Sequence, residues 1–297
     1  MPALRSELLS RYLQRIAYEG EATADLTTLQ RLLALHTASL PFENFSPLLG
    51  EPVSLQLPAL QAKLLDSPRG GWCFEHNTLL FSVLQQLGFQ VTPLAARVLW
   101  MQAPDLRPAR SHMLLQVRLP EGDYLADAGF GAVTLSAPLA LQAGRIQQTT
   151  HGSYRLIAEP DGYSLWALLG EDWSVLYQFD LQPQHLADFD VMCWYLCNHP
   201  QSRFLHTITA ARLRIDGRHT LRDGRYTWRN DSGGLVTQRT LSGMADLLHL
   251  LHHTFGIVLP ESAATNARLQ QVLQPNAHAV GCEHDNTCRT QAAYAAF

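Results

Sequence analysis

No stretch of this 297-residue chain approaches the roughly eighteen consecutive apolar residues of a membrane-spanning helix, so no membrane partner is expected. The start lacks an uninterrupted apolar segment too: Arg5, Glu7, Arg11, Arg15 and Glu19 break up its leucines, which does not suit a signal peptide. An excess of charge of one sign is also lacking. Charged residues make up 16%, the net charge is −4 and hydrophobic residues reach 46%, so neither a disordered chain nor a nucleic-acid-tracking surface is expected. Cysteine is scarce: five residues at irregular spacing, an odd count, do not build a disulfide framework. The expectation is a cytoplasmic protein with reduced thiols. Glycine fingerprints of the Rossmann or P-loop type are missing, as are internal repeats and low-complexity blocks.

What is present has a direction along the chain. The length fits one large domain or two to three small ones. Residues 1–88 read as helices. Leu8, Leu9, Tyr12, Leu13 and Ile16 recur at helical spacing, and Thr27 with Gln30 makes a capping-box pattern ahead of Leu29, Leu32, Leu33 and Leu35. Pro41 stops that second helix. Pro58 opens a short third one through Leu60, Leu64 and Leu65, and a fourth runs from about Cys73 to Leu87, with Gly88 as its stop. Residues 89–187 change toward a period of two. Turn signals at Pro120–Asp123, Glu159–Gly162 and Gly170–Asp172 separate short β-rich runs, which suggests a small barrel or sandwich. Residues 188–275 mix hairpin signals at Asp216-Gly217 and Asp223-Gly224 with a helical face of Leu241, Met244, Leu248, Leu251 and Phe255. Residues 276–297 show no sustained period and read as a flexible tail.

One segment points to chemistry: Arg69-Gly70-Gly71-Trp72-Cys73-Phe74-Glu75-His76-Asn77, a glycine turn that delivers a cysteine to a helix start. Unpaired N–H groups and a partial positive charge there favour a thiolate over a thiol. Such a nucleophile needs a base, and the base an orienting acceptor. His112 opens the run Met113 to Val117, and Asp127 closes the return strand of the same hairpin, ahead of Ala128-Gly129-Phe130-Gly131. A turn near Gly122 allows the two to meet. Each residue alone has a plainer reading as buried filler, a structural histidine or a turn-forming aspartate.

Four strings in order, Pro41-Phe42-Glu43-Asn44, Arg69 to Glu75, Ser111-His112-Met113-Leu114-Leu115 and Asp127 to Gly131, resemble the motifs of the arylamine N-acetyltransferases. The resemblance implies an α+β fold: an N-terminal helical bundle, a central β-barrel and a C-terminal α/β lid, with a catalytic core of the cysteine-protease and transglutaminase kind. It implies a triad of Cys73, His112 and Asp127, and acetyl-CoA as co-substrate with no metal. The implied acceptors are aromatic amines, hydrazines or N-hydroxyarylamines, with a role in xenobiotic metabolism. Phe42, Val98, Phe130 and Phe204 match positions lining the acceptor pocket, and Glu43 with Arg69 resembles a structural ion pair behind the cysteine. Trp72 stands where many relatives have Tyr, a swap that keeps a large aromatic with a polar handle.

The remaining cysteines have bland readings first. Cys193 and Cys197, four apart, suit core packing better than metal ligation, and Cys282, His284 and Cys288, with His278, suit a chance cluster in the tail better than a zinc site. Two alternatives to a transferase stay open at this point: a cysteine hydrolase using the same three residues, and a non-catalytic ligand-binding protein. Oligomeric state is left open.

Overall fold

The computed structural model describes residues 2–103, 106–230 and 234–273. Helices α1 (Pro2–Arg15) and α2 (Leu26–Ser39) bury Leu8, Tyr12, Leu29, Leu32 and Leu33 almost completely. The cap of α2 differs from the expected Thr27/Gln30 box: Asp25 is the N-cap, and its carboxylate accepts from the Thr28 backbone N–H at 2.8 Å. A charged oxygen one turn from the helix start is the stronger cap.

Pro41 ends α2 and the chain extends into a two-residue strand, β1 (Phe42–Glu43), followed by a short helix α3 (Phe45–Leu48) that the sequence reading lacked. The proline-opened helix α4 (Leu57–Leu60) continues as a π-helical turn over Gln61–Leu65. Helix α5 (Cys73–Gln86) is buried from Cys73 to Leu84, so it has no solvent face and the other elements pack around it. Its exit is Gly88, at φ +87°.

The β-region comprises β2 (Gln90–Val98), β3 (Arg110–Leu119), β4 (Gly122–Ala126), β5 (Leu139–Ala140), β6 (Ile146–Thr149), β7 (Gly152–Glu159), β8 (Gly162–Leu169) and β9 (Asp172–Phe179). They form one sheet in the order β5-β4-β3-β2-β9-β8-β7-β6, curled into a nearly closed barrel. Its two edges are joined by a side chain. The Gln147 amide accepts from Ala140 N at 2.8 Å and donates to Ala140 O at 2.9 Å, supplying both bonds that a ladder rung would.

Helix α6 (Leu186–Asn198) returns Phe189 and Cys193 to the main core. The lid follows as β10 (Thr209–Arg214), β11 (Gly217–Arg222), β12 (Arg225–Arg229), β13 (Leu235–Thr240), α7 (Met244–Leu250), a π-helical turn over Leu251–Phe255, and α8 (Ala263–Leu273). Its sheet runs β1-β10-β11-β12-β13, so a strand from the N-terminal region forms one edge. Phe45 and Leu48 likewise join the lid's own core with Ile208, Leu221 and Phe255. On α7 the buried residues are Leu247 and Leu250, while the expected Leu248 is 40% exposed. The expected Leu251 and Phe255, in the π-helical turn, are buried, and Leu247, one position before Leu248, faces the core in its place. The expected tail and its Cys282, His284 and Cys288 cluster lie outside the described residues.

Candidate active site

Three polypeptide segments meet at the start of α5, and small residues decide how closely. At Gly70 a Cβ would lie 1.9 Å from the Pro41 carbonyl oxygen, and at Gly129 it would lie 2.6 Å from the Cys73 Cα. Neither neighbour gives way cheaply, because both are backbone. The glycines of the two motifs therefore let Pro41 and the loop after Asp127 close onto the cysteine turn.

The Pro41-Phe42-Glu43-Asn44 string holds that turn from the other side. Glu43 N donates to Gly71 O at 2.7 Å and Gly71 N to Pro41 O at 3.2 Å. The buried Glu43 carboxylate accepts from Arg69 Nε at 2.7 Å, Arg69 Nη2 at 3.3 Å, Gly70 N at 3.2 Å and Phe45 N at 2.8 Å. Glu43 and Arg69 thus form a buried ion pair, and Arg69 Nη2 also donates to Ser46 Oγ at 3.2 Å. Burial opposes the Glu43 charge, but Lys63 and Arg69 outweigh it and hold the carboxyl below its ordinary range. Lys63, the chain's only lysine, pairs in turn with buried Glu75 at 2.8 and 2.9 Å. Two cations and two anions are balanced behind Cys73, as buried charges must be. Asn44 donates to Phe204 O at 3.0 Å and Thr207 O at 2.7 Å and accepts from Thr209 N at 2.8 Å, stitching the same string to the lid.

Cys73 opens α5, is 6% exposed, and its sulfur lies 3.9 Å from Ser111 O. His112 follows in β3 and is 3% exposed. Its Nε2 donates to Asp127 Oδ2 at 2.7 Å, which leaves Nδ1 for the sulfur of Cys73. Burial disfavours the imidazolium, but the Asp127 charge and hydrogen bond, with a smaller contribution from Cys73, raise the His112 pKa to about 10. Asp127 follows the last residue of β4 and is completely buried. Oδ1 accepts from Asn77 Nδ2 and Gly129 N, each at 2.9 Å, and Oδ2 accepts a second bond from Tyr177 Oη at 3.0 Å. Burial raises its pKa; His112 and these donors more than reverse that and hold it below the ordinary carboxylate range. At neutral pH the geometry holds a His112 imidazolium between the Asp127 carboxylate and the sulfur of Cys73.

Asn77 and Tyr177 were not singled out by the sequence. Asn77 sits four residues past Cys73, on the same helix face, a spacing that could have pointed to it. Its amide also donates to Met113 O at 2.7 Å and accepts from Ala128 N at 3.0 Å. Tyr177 arrives from β9, far along the chain, with no local signal.

The expected pocket positions distribute around this cluster. Phe130 meets the His112 ring edge-on with centroids 5.1 Å apart, and Phe204 meets Trp72 edge-on at 4.9 Å. Val98 is the cross-strand partner of Tyr177 on the neighbouring strand. The Phe42 ring lies against Gly131, where a Cβ would be 3.3 Å from it. All four are only partly buried, unlike the core around them. Trp72 is fully buried and its Nε1 has no hydrogen-bond partner among the described residues, so the polar handle expected of this aromatic is unused within the fold. Cys193 is buried and Cys197 part-buried, and both are free thiols. Among the described residues no cluster of three or more His, Cys, Asp or Glu could hold a metal, and no helix is long and apolar enough to cross a membrane.

Comparison with known proteins adds an independent line. A family model described as N-acetyltransferase matches residues 25–264. The chain is 43% identical over 271 residues to the arylamine N-acetyltransferase of Mycolicibacterium smegmatis, covering 89% of this chain and 98% of that protein. It is 36% identical over 253 residues to the arylamine N-acetyltransferase / N-hydroxyarylamine O-acetyltransferase of Salmonella typhimurium, covering 85% and 89% of the two chains. In three dimensions it resembles the Mycobacterium marinum arylamine N-acetyltransferase solved in complex with CoA, with a TM-score of 0.85, 38% identity, and coverage of 89% of this chain and 99% of that one.

Proposed function

Since this chain belongs to the arylamine N-acetyltransferase family and is thereby an acyltransferase, we propose that it carries an acetyl group on Cys73 between acetyl-CoA and an aromatic amine, hydrazine or N-hydroxyarylamine. The reading rests above all on the hydrogen bond from His112 Nε2 to Asp127 Oδ2 at 2.7 Å, made beside a cysteine at a helix start. That bond fixes which imidazole nitrogen faces the sulfur and keeps a proton available to it.

In the first half-reaction the Cys73 thiolate attacks the thioester carbonyl carbon of acetyl-CoA. The new C–S bond forms, the C–S bond to CoA breaks, and the leaving CoA thiolate takes the His112 proton. His112, now neutral, receives a proton from the amine as its nitrogen attacks the acetyl-cysteine carbonyl. The Cys73 thiolate leaves, and the ion pair is restored. Asp127 stays ionised throughout and stabilises each imidazolium. Two products leave in two stages, so the kinetics are ping-pong. Phe42, Val98, Phe130 and Phe204 supply partly exposed apolar surface near the cluster, suited to a flat aromatic acceptor. The compartment is cytoplasmic: the chemistry needs Cys73 reduced, and Cys73, Cys193 and Cys197 are all unbridged.

Incubation with acetyl-CoA and no amine tests this directly. Mass spectrometry should find one acetyl group on the peptide containing Cys73, discharged on adding an arylamine. Acetyl on Cys193 or Cys197 instead, or none with intact protein, would overturn the assignment.

A further inference from the structure

Three histidines meet on the outer face of the lid, in the string His249-Leu250-Leu251-His252-His253, where α7 runs into its π-helical turn. All three are exposed, while Leu250, Leu251 and Phe255 beside them are buried. The rings of His249 and His253 lie with centroids 4.3 Å apart and planes tilted by 42°, and His252 stands edge-on to His253 at 4.5 Å. No hydrogen bond or ion pair ties any of these imidazoles to the described residues. The one carboxylate on α7, Asp246, is taken by Arg239 and by Ser242 N. The backbone beneath the rings is held in place: Arg212 Nη1 donates to Phe255 O at 3.0 Å and Arg214 Nη1 to Thr254 O at 3.4 Å.

Two histidines four apart on a helix present their rings on one side, a spacing that chelates a metal. An ion about 2.0–2.1 Å from one nitrogen of each ring sets the two centroids roughly 4.5–5 Å apart. The separation of 4.3 Å is one small side-chain rotation short of that. Leu250 occupies the position where a zinc-peptidase helix of this spacing carries its glutamate, so the pair has a metal-binding geometry without a general base. We propose that His249 and His253 chelate a late first-row divalent ion, of the nickel, copper and zinc class, with water at its remaining positions. Imidazole nitrogen suits these ions, whereas magnesium and calcium take oxygen donors. The ion joins the end of α7 to the π-helical turn, and it stabilises the lid because the unfolded chain does not hold the two rings together.

The test uses the full chain without an affinity tag, Ni²⁺ as the probe and Mg²⁺ as the control. Calorimetry gives the affinity, and NMR of isotope-labelled protein gives the place. Paramagnetic Ni²⁺ should broaden the amides of residues 248–254 before any others. His249→Ala and His253→Ala should each weaken Ni²⁺ binding by at least about tenfold, because a chelate reduced to one ring loses the effective concentration of the second. His252→Ala removes a neighbouring ring but neither ligand, and should bind Ni²⁺ as the unaltered protein does. Saturating Ni²⁺ should raise the melting temperature of the unaltered protein, and by less in the two ligand variants. Mg²⁺ should neither bind nor stabilise. The proposal fails if Ni²⁺ does not bind, if the broadening is centred elsewhere, such as around Cys73, or if Mg²⁺ binds as tightly. Undiminished affinity in folded His249→Ala or His253→Ala also overturns it, as does an equal loss in His252→Ala. Should a variant not fold, the broadening pattern on the unaltered protein decides alone.

Discussion

Asn77 stands one helical turn beyond Cys73, and its Nδ2 donates to Asp127 Oδ1 at 2.9 Å. The helix that carries Cys73 is thereby tied to the carboxylate that accepts the His112 hydrogen bond. The same amide bonds Met113 O and Ala128 N, so one side chain sets the spacing of α5, β3 and the loop after β4.

Asn77→Ala removes that tie. It leaves the Ala128 N–H and the Met113 carbonyl without their partner in a buried region, each costing about 1–3 kcal/mol, so the melting temperature should fall measurably. Acetylation should fall further than stability explains, by about 10–100-fold, through misplacement of Asp127 and His112. Single-turnover acetylation below the melting transition measures it. A variant that is merely less stable, with an unchanged acetylation rate, would make Asn77 a packing residue only.

Asp127→Asn tests the proposed orienter. Asp127 is surrounded by four donors, from Asn77, Gly129, His112 and Tyr177. An amide there turns its own N–H either toward Asn77 and Gly129, which only donate, or toward His112 and Tyr177, which favours the wrong His112 tautomer. The charge that raises the His112 pKa is lost as well. Acetylation should drop by about 10⁴-fold, as for a buried triad aspartate elsewhere, and iodoacetamide labelling of Cys73 at neutral pH should slow. Circular dichroism checks the fold. Near-normal labelling in a folded variant would remove Asp127 from the mechanism.

Gly129→Ala isolates the close approach. Its Cβ would sit 2.6 Å from the Cys73 Cα, so the helix start or the loop must move. Overpacking of this kind costs about 1–3 kcal/mol. Movement of that size is felt at once in a site that depends on a 2.7 Å hydrogen bond. Expected is a folded protein whose acetylation rate falls at least about 100-fold. Unchanged kinetics would mean that the contact is relieved elsewhere at no cost to the site.

What the sequence made legible follows the range of each interaction. Cys73, His112 and Asp127 lie in short strings next to glycines or at hairpin ends, so local signals reach them. The helix α5, its stop at Gly88 and the hairpin turns were legible for the same reason. Asn77 was one step away, at helical spacing from Cys73. Tyr177 was not, because only the pairing of β2 with β9 brings it beside the site. The seating of β1 at the edge of the lid sheet was equally hidden, since it depends on a partner more than 160 residues away. The Leu248 error on α7 shows a further limit: from Met244 a helical face continues at a spacing of three or four, and the core takes Leu247, three residues on, rather than Leu248.

A buried chain of hydrogen bonds beside the site sets an acid limit to stability. Tyr12 Oη lies 2.9 Å from His36 Nδ1, His36 Nε2 lies 2.8 Å from His76 Nδ1, and His76 Nε2 lies 3.1 Å from Pro41 O. A carbonyl only accepts, so His76 Nε2 carries the proton, His76 Nδ1 accepts from His36, and His36 Nδ1 accepts from Tyr12. Both rings are neutral and fully used, and both are completely buried. Burial first, and for His36 the neighbouring His76 and Arg15, depress their pKa values: His36 well below 6.5, and His76 from 6.5 to about 4. Below pH 6.5 the unfolded chain therefore binds protons at these positions that the folded chain refuses, and stability is lost as pH falls from there toward 4. For His76 alone the loss is on the order of 3 kcal/mol. His112 works in the opposite sense. Its raised value of about 10 gives stability that is whole below 6.5 and lost as pH rises toward 10, so it adds no slope on the acid side. Urea unfolding of the unaltered protein and of His76→Gln, at neutral pH and near the acid end of that window, separates the contributions. Gln offers a donor and an acceptor but does not titrate, so the variant should start less stable and lose less on acidification. Equal losses in both proteins would mean that the acid sensitivity originates elsewhere in the fold.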